Sequence, residues 1–428
     1  MGMSMDRFFG LIGILVILLM AFLMSNNKKA INFKTVGVGL LLQFLLAIFI
    51  LKIPIGKAIF GGVGLFIQKI LAFSKEGGEF AFGALMNNQR IEELFGHNSA
   101  IFALQLMPAL IFMMILVNIL YYYGIMQRVI SVLGKAMNKI MDVSGAEALS
   151  NVASSFVGQI VAQIMIKPYL PNLTRSEVLA SMTGSMACIS GGVMAIYVGM
   201  GIPAQYMLAA CIMAAPGAFV ISKIVYPETG EPQTKSEFKI RKRRTDVNVL
   251  DAIAKGASDG MKVSLNVIAM IISLIALIAM LDWFLAKFGF AIHHYLHLNL
   301  AFMGIDLDHL SMKMILGKIF SIFALIMGVP LSQASDIGSL LGTKFILNEM
   351  LAYIDLQAIQ NVISQKSYVI ACFALCGFAN VSSVAIQIAG IGELAPNQRK
   401  NLARMGVRAL ICGTLASYVS ACIAGILI

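Results

Sequence analysis

Eight stretches of this chain run without a single Asp, Glu, Lys or Arg: Phe8–Met24, Thr35–Leu51, Asn98–Gln127, Val178–Gln205, Tyr206–Ser222, Val263–Leu281, Ser367–Gly392 and Ala409–Ile428. A helix needs about 20 apolar residues to cross the hydrocarbon of a bilayer, and each stretch is near that length. In lipid the backbone must satisfy itself, which selects helices over open strands. The short alternating segments of a membrane barrel do not occur. Composition agrees: the chain is 59% hydrophobic and 12% charged, whereas an ordinary soluble domain is about half apolar and a quarter charged. The expectation is an all-α polytopic membrane protein, seated in the cell inner membrane.

The net charge of +11 does not point to nucleic acid, because its distribution follows membrane topology. Basic residues cluster after the first span (Lys28, Lys29, Lys34), after the third (Arg128, Lys135, Lys139), and in the polar stretch after Tyr226. A fourth cluster lies before the last span (Arg399, Lys400, Arg404, Arg408). The positive-inside rule places these in the cytoplasm and predicts both termini outside. Residues 52–75 are basic yet fall on the outer side, and they read as an interfacial helix. "KIRKRR" (Lys239–Arg244) is either a topogenic loop or a contact with anionic membrane lipid.

The first run has one basic residue before it and no small-x-small site after it, so it does not read as a cleaved signal peptide. Asp6 stands where a myristoylation motif needs Ser or Thr. The six cysteines have no CxxC spacing and lie in apolar segments, as small buried hydrophobes. His293 and His297 share a helix face near Asp306, Asp308 and His309, a pattern that can suggest zinc. No general-base Glu accompanies them, and they read as interfacial polar residues. There is no HExxH, GxSxG or Walker motif, and no enzyme is expected.

Two apolar segments are interrupted. "SSFVGQIVAQIMIKPYLP" (Ser154–Pro171) carries Gly158, Gln159 and Gln163 and has cytoplasmic charge on both sides. It reads as a re-entrant hairpin broken at Gly158. "GSLLGTKFILNEMLAY" (Gly338–Tyr353) carries Lys344, Asn348 and Glu349. Sliding the chain on itself sets Ser155 on Ser339, Gly158 on Gly342 and Tyr169 on Tyr353. Further on, Val193 falls on Val384, Gly199 on Gly390 and Gly201 on Gly392. Two broken segments in corresponding positions of inverted repeats point to a secondary transporter with its site near the midplane.

"CGFANVSSVAIQIAGIGELAPNQRKNLARMGVRALICGTLAS" (Cys376–Ser417) resembles the concentrative nucleoside transporter family. So do "NVLDAIAKGASDGMKVSLNVIAM", "GTKFILNEMLAY" and "MAAPGAFVISKIVYPETGEPQ". The resemblance covers most of the chain from about Met107 on. It implies eight transmembrane helices plus two re-entrant hairpins in an inverted repeat, a homotrimer, and elevator-type uptake of nucleosides driven by H+ or Na+. The organisation expected is scaffold helices and an interfacial helix over 1–140, a first transport repeat over 141–226 and a basic loop over 227–262. A scaffold helix with an outward loop (263–312) and a second transport repeat (313–428) follow.

The resemblance also implies roles. Glu349, Asn380 and Ser383 match the family's ribose-binding positions, and Phe378 matches an aromatic lining position. A carboxylate accepting hydroxyl hydrogens and an amide that both donates and accepts suit a sugar, and a membrane-embedded carboxylate is a functional candidate by default. A structural pair of Glu349 with Lys344 is the alternative. Gln159 and Val193 match nucleobase contacts. Ile160 fits the apolar variants, but Val161 stands where the family has Glu, and Gln163 is a candidate substitute. The cation site maps to Ser154, Val157, Cys188 and Ile189. Sodium-coupled members have Asn and Ser where this chain has Ser154 and Cys188. A thiol is a poor ligand for a hard cation, so H+ is favoured over Na+. A membrane-embedded binding protein that kept the fold and lost coupling is the alternative function.

Overall fold

The computed structural model describes residues 2–87, 90–91, 93, 101–235, 247–296 and 306–428. Every regular element among them is helical. "KIRKRR" and His297 lie outside the described residues.

The chain opens with α1 (Gly2–Leu23) and α2 (Phe33–Leu51), followed by the long α3 (Pro54–Phe82). α3 is one of seven helices, among the described residues, that are long and apolar enough to span. Its packing shows that it does not. Gly56 abuts the Phe49 carbonyl at the end of α2, and Gly64 packs on Ala204 at the first residue of a later helix. Gly78 packs on Pro108, near the start of α4 (Phe102–Tyr122). Those three helix ends lie on one side of the membrane, about 33 Å of helix apart. α3 therefore lies along that side, as the interfacial reading of residues 52–75 expects.

α5 (Ile125–Met141) leads to the first hairpin, made of α6 (Gly145–Val157) and the short α7 (Val161–Met165). The first arm starts at Gly145, nine residues before the segment flagged by sequence, just after the Ser144 capping box. It breaks at Gly158, whose φ of 85° is a conformation open to glycine. α8 (Arg175–Ala187) and α9 (Gly191–Gly199) form one span broken at residues 188–190. α10 (Ala204–Val225) and the 48-residue α11 (Val249–Leu296) follow. α11 thus takes in residues 249–262, which the sequence reading gave to the basic loop.

α12 (Met312–Ile326) bends by 117° into α13 (Leu331–Ile346), the first arm of the second hairpin. Its return arm is α14 (Glu349–Ile359). α15 (Gln365–Leu375) and α16 (Val381–Leu394) form a second broken span, and α17 (Arg399–Leu427) ends the chain. The eight spans are α1, α2, α4, α8–α9, α10, α11, α15–α16 and α17.

α10 measures the inversion. At its C-terminal end, Ser176 donates to the Tyr226 carbonyl (2.8 Å), and Gly145 N donates to Thr234 O (2.9 Å). Both arms of hairpin 1 are rooted there. At its N-terminal end, Gln365 donates to the Tyr206 hydroxyl (3.5 Å), and Gly201 packs on Gln357. Hairpin 2 is rooted at that opposite end.

The repeat register differs from the sequence alignment. Thr174 and Ser364 cap equivalent helices, as do Ser190 and Asn380, and the members of each pair stand 190 residues apart. In this register Gly158 matches Asn348 and Val193 matches Ser383. Gly342 is not the second break. It lies inside α13, where a Cβ would fall 2.4 Å from that of Leu316. Its lack of a side chain serves the α12–α13 contact, and the break comes at Leu347 and Asn348. All six cysteines are buried and free, as expected.

Candidate functional site

Hairpin 2 ends in an Asn-Glu pair. Asn348 caps α14 by accepting from Leu351 N (3.0 Å), which fixes Glu349 as the first helical residue. A carboxylate is favoured there by the helix dipole. Glu349 is 5% exposed. One oxygen accepts from the Tyr197 hydroxyl at 2.8 Å and the other from the Asn380 amide at 3.3 Å. A carboxylate offers about four lone-pair directions, so acceptor capacity remains. Asn380 caps α16, its carbonyl oxygen taking Ser383 N (2.9 Å) and the Ser382 hydroxyl (2.7 Å). Glu349, Asn380 and Ser383 are thus brought together and buried. Phe378, half-buried at the α15–α16 break, donates its N–H to Cys188 O (3.2 Å). Lys344 forms no ion pair with Glu349 among the described residues. Its ammonium donates to Ala374 O at 2.8 Å.

Hairpin 1 ends in Gly158, Gln159 and Ile160. Gln159 accepts from the Gln387 amide of α16 at 3.2 Å, and Ile160 packs on Gly390 of the same helix. Val193 N is capped by Ser190. Val161 is 43% exposed and offers no polar atom of its side chain. Gln163, the candidate substitute for the missing carboxylate, is turned toward α8. Its amide is used by α8, donating to Ser185 (3.1 Å) and accepting from Ser181 (2.9 Å).

The candidate cation residues line the contact of α6 with the end of α8. The Ser154 hydroxyl donates to Ser150 O (2.7 Å) and lies 2.8 Å from the Ser185 hydroxyl. The Cys188 thiol donates to Gly184 O (3.1 Å), and Ile189 O accepts from the Cys211 thiol (3.7 Å). Val157 is the last residue before the Gly158 break. The Ser154 and Cys188 side chains each make a hydrogen bond within the protein.

In the 190-residue register, Gln159 matches Glu349 and Tyr197 matches Gln387. The contacts Gln159–Gln387 and Glu349–Tyr197 are therefore one contact made twice. Each hairpin tip reaches the helix that follows the other hairpin. Tyr197 and Gln387 were not singled out from sequence. The signal that could have found them is this register, which apolar glycine matches obscured. Asn348 and Gln387 each keep one buried side-chain polar atom without a partner. Such atoms cost roughly 1–3 kcal/mol when unsatisfied; Asn348 lies at the tip of hairpin 2 and Gln387 against the tip of hairpin 1.

The histidines stand apart from this site. His293 pairs with Asp308 and His309 with Asp306, each at 2.9 Å. The His309 hydrogen bond holds the Asp306 carboxyl below its ordinary range. No group of three metal-ligating side chains occurs among the described residues.

Residues 12–85 and 206–425 match the N- and C-terminal models of a family described as Na+ dependent nucleoside transporter. Residues 103–204 match a model described as Gate, nucleoside recognition. The chain is 39% identical over 425 residues to a Bacillus subtilis protein named uncharacterized transporter YutK, covering 99% of this chain and 100% of that one. It is 35% identical over 431 residues to nucleoside permease NupC of Helicobacter pylori, covering 100% and 99%. It superposes with a TM-score of 0.90 at 36% identity on CNTnw in an inward-facing substrate-bound state, covering 99% and 98%.

Proposed function

The chain belongs to the concentrative nucleoside transporter family, and we propose that it is an inner-membrane symporter importing ribonucleosides with a proton. The observation that carries this reading is the hairpin 2 tip. A buried carboxylate holds two donors and keeps capacity for two more, beside Asn380 and Ser383. Two sugar hydroxyls fit that acceptor. Phe378 supplies an apolar wall for the ligand. Gln159, Ile160, Val161 and Val193 face the nucleobase, and Val161 makes that half less polar than the family pattern.

Proton coupling is supported by the state of the cation residues. Ser154 gives its hydrogen to Ser150 O and keeps an oxygen, but Cys188 puts a thiol, bonded to Gly184 O, at the second side-chain position, and sulfur suits sodium poorly. The Val157 carbonyl is a further oxygen, and that of Ile189 already accepts from the Cys211 thiol. Homotrimeric assembly is carried over from the resemblance, and a native mass measurement in detergent checks it.

The test is radiolabelled nucleoside uptake into proteoliposomes with proton and sodium gradients imposed separately. Uptake that rises as external pH falls and ignores replacement of sodium by choline is expected. Strict sodium dependence at constant pH overturns proton coupling. A second reading, a binding protein without coupled transport, is favoured by Val161 alone. Saturable nucleoside binding with no uptake under either gradient would establish it.

A further inference from the structure

Lys344 is 1% exposed, inside a membrane-embedded hairpin. Its ammonium is not spent on a carboxylate. It donates to Ala374 O, in the last turn of α15. The closing carbonyls of a helix are its negative end, and in transporters such half-helix ends attract cations.

The repeat register gives this contact a counterpart. Lys344 matches Ser154, and Ala374 matches Gly184. In repeat 1 the same place holds the closing turn of α8, and neither α6 nor α8 has a basic residue in its last turn. It also holds Asn151, which is 0% exposed and has neither amide atom partnered. Asn151 lies against Gly184 so closely that a Cβ there would fall 1.1 Å from its Oδ1. Repeat 1 thus presents helix-end carbonyls, hydroxyls and an unpartnered amide oxygen with no positive charge. Repeat 2 presents the same helix end with the charge attached by a side chain.

We infer that Lys344 is a tethered cation, doing permanently for hairpin 2 what the exchangeable coupling cation does for hairpin 1. Cation release then loosens hairpin 1 alone. The inference rests on the reading that hairpin 1 takes the coupling cation. It adds a positioning role for a residue that touches no substrate.

The experiment measures thermal unfolding of the purified full chain in detergent, without nucleoside, in sodium chloride or choline chloride and across pH. This readout is independent of whether the ligand is a nucleoside. Lys344→Ser gives hairpin 2 the hairpin 1 residue and is expected to add about 4 °C to whichever rise in Tm the unmodified chain shows with its coupling cation, read as lower pH or as sodium in place of choline. Ser154→Lys supplies hairpin 1 with its own ammonium, and its Tm is expected to lose the cation response of the unmodified chain. Lys344→Arg, which keeps the charge, should behave as the unmodified chain. Lys344→Met, which keeps the length, should be destabilised in both salts. The inference is overturned if Lys344→Met melts like the unmodified chain, or if Ser154→Lys keeps the full cation response. It is also overturned if Lys344→Ser folds and responds to neither lower pH nor sodium more than the unmodified chain.

Discussion

The two hairpins carry their buried charge at opposite ends. Hairpin 1 is charged at its base and neutral at its tip. There Lys223 pairs with Glu147 at 2.7 Å, and Ser144 donates to Glu177 at 2.5 Å, while the tip offers the amide of Gln159. Hairpin 2 has no buried charge at its base, where Asp336 is exposed and Asp355 pairs with the exposed Lys313 at 2.9 Å. Gln333 takes hydrogen bonds from Ser364 (3.1 Å) and Ser367 (2.6 Å), while its tip holds Glu349 and, one turn before the break, Lys344. The difference separates two uses of a buried charge. At the base of hairpin 1 the carboxylates complete capping boxes and an ion pair, so the charge is consumed by the fold. At the tip of hairpin 2 the carboxylate keeps acceptor capacity, so its charge is available to a ligand.

The largest expected effect breaks the base of hairpin 1. Lys223→Met leaves Glu147 buried without its cation, and breaking such a pair costs about 3–5 kcal/mol. Thermal melting should drop by several degrees or more, while the fraction that remains folded binds ligand with unchanged affinity. A loss of affinity with no loss of stability would erase the distinction between base and tip.

Next in size is Glu349→Gln, which makes the second tip resemble the first. A charge-assisted hydrogen bond is worth roughly 1.5–3 kcal/mol, so ribonucleoside affinity should fall about 10- to 150-fold. The penalty for removing a ribose hydroxyl from the ligand should shrink in the same variant. Unchanged affinity by calorimetry would show that the two tips are interchangeable.

Val161→Glu asks whether hairpin 1 can be charged at its tip. Val161 is exposed enough for a carboxylate to stay solvated, and a new contact to the base should strengthen binding or uptake by about tenfold, within the 1–3 kcal/mol of an otherwise unpaired polar group. No gain, with tight binding of a less polar ligand by the unmodified chain, would instead mark a pocket adapted to another solute.

The smallest effect tests the repeated contact itself. Gln387→Leu removes a neutral hydrogen bond worth about 1 kcal/mol, and Tyr197→Phe removes one to a charge. Competition binding should show a few-fold loss for the first and a larger one for the second. Equal losses would mean that the charge on Glu349 adds nothing to its side of the pair.

Much of this was legible in the chain because lipid leaves few choices. Uncharged runs set the spans, and Lys and Arg set their direction. Gly158 announced the first break, since its conformation is one that side chains resist. The second break was misplaced because Leu347 and Asn348 include no glycine. Its signal was chemical: Asn348 before Glu349 is a helix cap followed by a first-turn carboxylate. Setting Gly342 on Gly158 then hid the register by six residues and, with it, Tyr197 and Gln387. Glu349, Asn380 and Ser383 were found through resemblance, and hydrogen bonding across two distant helices gathers them in a way no linear pattern records. Ser185 and Asn151 were missed because a serine or asparagine in an apolar helix has no signature until its neighbour is known.

The burial of every cysteine has a practical consequence. A maleimide or methanethiosulfonate reagent meets no reachable thiol on this chain in the conformation described. A single cysteine placed at an exposed position such as Phe80 or Val247 would be the only nucleophile available to the reagent. The native sequence can therefore serve as its own silent background for labelling, with none of the six thiols removed.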